Sequence, residues 1–80
     1  MSESIPVCFG KILRRMRKEA GLSQEQLALN ADIQRNFVSL LELGQKQPTI
    51  TTLFKLAEAL RCNPAALVQT VVDELNNSVE

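Results

Sequence analysis

Apolar residues recur along this chain at steps of three and four, the spacing of one helix face. The pattern predicts a first helix from about Pro6 to Ala20 with Phe9, Ile12, Leu13 and Met16 turned inward and the basic side chains outward. Gly21 stops it, as glycine does when it takes the left-handed position beyond a helix end. Ser23, with Gln26 three residues on, forms a capping box and opens a short second helix, about residues 24–30, with Leu27 and Ala28 inward. A third helix spans about residues 34–43. At about 100° per residue, Val38 and Leu41 share one side with Phe37 at its edge, while Arg35, Asn36, Ser39 and Leu43 project from the other. Gly44 ends it, and Gln45-Lys46-Gln47-Pro48 reads as a loop. Thr49 caps a fourth helix whose core stripe is Leu53, Leu56, Ala57 and Leu60. Asn63 and Pro64 are a cap followed by a first-turn proline, opening a fifth helix that reaches about Leu75 before the chain frays.

Composition supports an all-α reading. Hydrophobic residues make up 45% of the 80 residues, yet the only aromatics are three Phe, a mix that suits leucine-rich helices better than strands. A chain of this length holds one domain, residues 1–80 with its core over about 6–75. So small a domain buries a limited share of its surface, and support from a dimer interface is expected. No apolar run approaches the roughly eighteen residues of a membrane span, and the N-terminus lacks a charged-then-apolar export signal. The expected location is cytoplasmic. Cys8 and Cys62 stand alone and His is absent, so no metal site is expected. The two thiols read as small buried hydrophobes, with a disulfide as the lesser alternative.

The net charge is zero, but it is unevenly spread. Lys11, Arg14, Arg15, Arg17 and Lys18 fall within eight residues without an acid among them. Beyond Arg61 there is no basic residue, while Asp73, Glu74 and Glu80 are acidic. One end of the molecule is suited to phosphates and the other is not. A solvated helix face is the plain alternative for the basic run.

The second and third helices are separated only by Ala31-Asp32-Ile33, the spacing of a helix-turn-helix. In such a pair the second helix must stand proud of the domain to enter a major groove roughly 12 Å wide, and the first braces it. The third helix has the two sides this needs: Val38 and Leu41 to anchor it, and Arg35, Asn36 and Ser39 to hydrogen-bond outward.

The stretches Gly21-Leu22-Ser23-Gln24-Glu25-Gln26-Leu27-Ala28, Val38-Ser39-Leu40-Leu41-Glu42-Leu43-Gly44, Pro48-Thr49-Ile50 and Leu53-Phe54-Lys55-Leu56-Ala57-Glu58-Ala59-Leu60 resemble the Cro and phage-repressor family of DNA-binding domains, often called XRE-like. The resemblance covers about residues 9–68 and implies a compact bundle of five helices, lambda-repressor-like, that binds operator DNA. It implies that Gln24 and Lys46 meet the DNA backbone, and that Arg35, Asn36, Ser39 and Leu40 reach base edges. Arg17 and Glu42 match a structural ion pair that ties the first helix to the end of the third.

Chemistry agrees unevenly with these roles. Arg35 suits a bidentate contact to guanine and Asn36 one to adenine. A hydroxyl such as Ser39 accepts many partners, and Leu40 either packs or meets a thymine methyl. Phe37 reads as core or sugar-packing. The sequence also departs from the family. Asp32 and Arg61 stand where glycine is usual, and Gln34 stands where a better N-cap is usual, which frees it for base contact. Leu43 replaces a polar or basic residue and, beside Leu40, raises a protein contact on that face.

The expected function is therefore sequence-specific binding of double-stranded DNA and regulation of transcription, with repression and activation both open. The alternative is a protein-interaction adaptor of the same fold. No His, phosphate-binding glycine loop or paired carboxylates in a cleft support an enzyme, and no cofactor or small-molecule ligand is implied. In the fifth helix Leu67, Val68, Val71, Val72 and Leu75 spread over an arc of about 140°, wider than the roughly 100° a small domain needs from one helix. Val68, Val71, Val72 and Leu75 are the expected homodimer interface, against the alternative of a broad stripe buried within one protomer.

Overall fold

The computed structural model describes residues 4–77. They form five α-helices: α1 (Ile5–Glu19), α2 (Gln24–Ala31), α3 (Arg35–Glu42), α4 (Ile50–Ala59) and α5 (Pro64–Asn77). Each of the first four starts on the residue after a predicted cap or within a residue of the predicted start. The capping box is present in both halves: the Gln26 backbone N–H donates to Ser23 Oγ at 3.0 Å, and the Ser23 N–H donates to Gln26 Oε1 at 2.8 Å. Thr49 Oγ1 accepts from the Thr52 N–H at 3.1 Å, and Asn63 Oδ1 from the Ala65 N–H at 2.7 Å. Each satisfies a backbone donor that a helix start leaves without an internal partner.

Helices α1 to α4 end in the same way. A residue in the left-handed region follows each, Gly21 (φ 74°), Asp32 (φ 56°), Gly44 (φ 76°) and Arg61 (φ 58°). The backbone N–H of the next residue turns back to a carbonyl in the last turn, as from Leu22 to Arg17 at 3.1 Å and from Cys62 to Ala57 at 2.9 Å. This is the Schellman closure. Glycine adopts the left-handed backbone without cost, whereas Asp32 and Arg61 do not.

The core draws on every helix: Cys8, Phe9, Ile12 and Leu13 of α1, Leu27, Ala28 and Ala31 of α2, Val38 and Leu41 of α3, Leu53, Leu56 and Ala57 of α4, and Leu67 and Val71 of α5. Helix α3 packs on α1 and α2, and α5 closes the bundle against α1 and α4. Cys8 is fully buried with its thiol 3.8 Å from the Val71 carbonyl, Cys62 is half-buried, and no disulfide joins them. No helix among the described residues is long and apolar enough to cross a membrane.

Helix α5 corrects part of the expected interface. Val71 is only 8% exposed and belongs to the protomer's own core, and Leu75 packs against that core half-buried. Val68 and Val72 remain outside, 44% and 41% exposed. The wide apolar arc is thus divided: its Leu67–Val71 edge covers α1 and α4, and its Val68–Val72 edge stays largely exposed, with Val68 lining a small hollow beside Pro6, Phe9 and Leu53. The helix runs to Asn77, two residues past the expected end, and residues 78–80 at the expected frayed end lie outside the described residues.

Candidate nucleic-acid interface

Helix α3 has only eight residues, too few to hold its shape in water alone. What holds it is tertiary. Val38 and Leu41 are fully buried on its inner side, and its C-terminal end is tied to α1 by charge. Arg17 presents its guanidinium fork to Glu42, with Nε donating to Oε2 at 2.6 Å and Nη2 to Oε1 at 3.1 Å. The side chains of the pair are 10% and 4% exposed. Nη1 of Arg17 donates to the Leu22 carbonyl at 2.8 Å, and Gln24 Nε2 donates to Glu42 Oε1 at 3.1 Å. Two charges that would be costly to bury alone are thereby compensated on most of their hydrogen-bonding atoms. The bond to Glu42 raises the Arg17 pKa above its ordinary value, outweighing the opposite push of burial.

Arg17 and Glu42 are thus paired, and the Leu22 carbonyl and the Gln24 amide join them. Gln24, assigned from the resemblance to the DNA backbone, has one amide N–H committed to Glu42. It is half-buried and lines a shallow hollow with Arg35, Asn36 and Ser39. The amide is held at the rim of the projecting face, with its carbonyl oxygen and second N–H not used by that bond.

Of the other candidates, Arg35, Asn36 and Ser39 are brought together at that hollow. Gln34 takes the N-cap position with no side-chain capping bond, and Gln34, Arg35 and Asn36 are exposed on the first turn. Ser39 and Leu40 are half-buried one turn later. Lys46 is exposed in the loop after α3. The third helix is one residue shorter at each end than expected, because Gln34 and Leu43 act as its caps.

Arg14 was legible in the sequence only as part of a basic run. It lines a second hollow with Arg17, Gln24, Ser39, Glu42 and Leu43, so it borders the α3 face. Arg15, its neighbour, turns the other way and lies 3.6 Å from Glu74 of α5. The structure thus sorts the run: one cation beside α3, one neutralised by the acidic end. A polar helix face bordered by Arg14 and Arg35 can pair with a polyanion although the net charge is zero.

Residues 13–67 match the model of the helix-turn-helix family. The chain is 38% identical over 65 residues to an uncharacterized HTH-type transcriptional regulator, y4dJ, of Sinorhizobium fredii, covering 81% of this chain and 83% of that one. It is 30% identical over 69 residues to the control protein C.BamHI of Bacillus amyloliquefaciens, covering 85% of each. Among solved structures, the restriction-modification controller protein C.AhdI of Aeromonas hydrophila superposes with a TM-score of 0.75 at 40% identity, over 78% of this chain and 94% of that one.

Proposed function

We propose that this chain, which belongs to the helix-turn-helix family, binds double-stranded DNA sequence-specifically as a homodimer in the cytoplasm and regulates transcription from the site it occupies. The observation that carries the reading is α3 itself. Its apolar side is buried, its end is locked by the Arg17–Glu42 pair, and it presents Arg35, Asn36 and Ser39 on one face, with Gln34 exposed at its N-cap. Relatives named as an HTH-type transcriptional regulator, a control protein and a restriction-modification controller protein support it. In this reading Gln34, Arg35, Asn36, Ser39 and Leu40 meet base edges, while Gln24, Lys46 and Arg14 meet phosphates.

Dimerisation follows from the surface that α5 leaves uncovered. Val68 and Val72 continue an i, i+4 row that begins at Pro64, and Pro64 lines a groove with Ile50 and Phe54 of α4. Ile50 and Phe54 are exposed as well. The groove also carries Thr51, Lys55 and Glu58 at its sides, and exposed apolar residues with a polar rim on two adjacent helices are what a second copy covers across a two-fold axis. Two α3 helices set about 34 Å apart then read two half-sites one DNA turn apart.

Selection of bound duplexes from a random library tests the reading. A two-fold-symmetric motif is the expected result. A protein that enriches no sequence and does not bind random DNA at low salt, where phosphate contacts alone suffice, would instead be an adaptor of the same fold.

A further inference from the structure

Leu43 caps the C-terminal end of α3 on the side opposite its core contacts. Wound at about 100° per residue, its position falls between those of Ser39 and Asn36, and the residue is 63% exposed. It is no core residue pushed outward, because Val38 and Leu41 on the opposite side supply the helix's buried contacts. Its surroundings are polar and charged: the hollow it lines is shared with Arg14, Gln24, Ser39 and the Arg17–Glu42 pair. A leucine side chain has no hydrogen-bonding atom, so on this face it discriminates only by touching something apolar. The base edges of a major groove offer one such group, the C5-methyl of thymine.

We infer, building on the DNA-reading function proposed above, that Leu43 is a specificity-determining residue that packs on a thymine C5-methyl at one flank of each half-site. Arg14 across the hollow pairs with the phosphates beside that base, since Glu42, the one carboxylate lining the hollow, already accepts the bonds of Arg17 and Gln24. Leu43 lies about 10 Å along the helix from Asn36, so the thymine falls outside the base pairs that Arg35 and Asn36 reach.

The test replaces each thymine of the library-selected site, one at a time, by deoxyuridine, which removes only the methyl. Affinity is measured for the wild type and for Leu43→Ala, Leu43→Met and Leu40→Ala, each checked for wild-type-like melting. At one thymine per half-site the wild type is expected to lose about fourfold, the factor for burying one methyl group. Leu43→Ala should bind the thymine and deoxyuridine sites equally, and Leu43→Met should regain the difference. Equal methyl sensitivity in the wild type and Leu43→Ala overturns the inference and leaves the DNA-reading function standing. So does a methyl effect abolished by Leu40→Ala alone. If no site is selected at all, the DNA-reading function itself falls, and the inference with it.

Discussion

Gly10 of α1 lies directly against the last carbonyls of α3. A Cβ built on it would stand 2.7 Å from the Glu42 oxygen and closer still to that of Leu41. Both obstacles are backbone and cannot rotate away. The missing side chain is what lets α1 cross α3 closely enough for Arg17 to reach Glu42. Gly10→Ala is therefore expected to destabilise the fold by about 1–3 kcal/mol, although alanine is the better helix former by about 1 kcal/mol. Thermal melting checks it. An unchanged or higher melting temperature would mean the helices separate without cost.

Arg61 and Asp32 hold left-handed backbone at the ends of α4 and α2. For a residue such as arginine that conformation costs roughly 1–2 kcal/mol, less for aspartate. Arg61→Gly should thus raise the melting temperature by about 4–8 °C, the shift expected for 1 kcal/mol in a domain of this size. Asp32→Gly should give a smaller rise. A fall in either would show that the lost side chain contributes more than the relieved backbone.

Both positions were legible in the sequence, because each sits where the family places glycine. So were the helices and their caps, since capping and three-to-four periodicity are local. What stayed hidden depended on distance through space. Nothing in the residues around Gly10 announces a crossing helix 31 residues later in the chain. Val71 and Val72 look alike as letters, and only the position of α1 decides which is covered. Gln24 has the right type and place for a phosphate contact, but its bond to Glu42 forms across 18 residues. Arg14 and Arg15 could be separated only once Glu74 of α5 had a position.

Glu42 anchors α3 through bonds from Arg17 and Gln24. Glu42→Ala strands the Arg17 guanidinium in a largely buried position and should cost about 3 kcal/mol. Weaker DNA binding should follow only in proportion to unfolding. Glu42→Gln keeps an acceptor and should lose less. A Glu42→Ala protein with unchanged melting but reduced affinity would place Glu42 in the binding surface instead.

Readout and clamping separate by salt. Arg35→Ala and Asn36→Ala should each cost about 1–3 kcal/mol on the preferred site and little on random DNA. Lys46→Ala should weaken all sequences alike and lower the slope of log affinity against log salt by about one. Arg14→Ala, if it serves phosphates, should behave as Lys46→Ala does. Identical profiles for Arg35→Ala and Lys46→Ala across a site library would erase the distinction.

The dimer is tested most sharply by two adjacent valines. Val72 is 41% exposed on the outer edge of α5, and Val71 is 8% exposed on its inner edge. Val72→Glu places a carboxylate in the proposed interface, where its copy across the two-fold axis adds a like charge. A folded monomer with weakened operator affinity should result, since one short reading helix alone has limited contact with DNA. Val68→Glu and Phe54→Glu should do the same if α4 and α5 form one surface. Val71→Glu instead buries an unpartnered carboxylate in the protomer core and should unfold the chain at any concentration. Sedimentation and melting distinguish the outcomes. A Val72→Glu protein of wild-type mass, or a wild type that is monomeric at micromolar concentration, would show that the exposed edge of α5 is not where two copies meet.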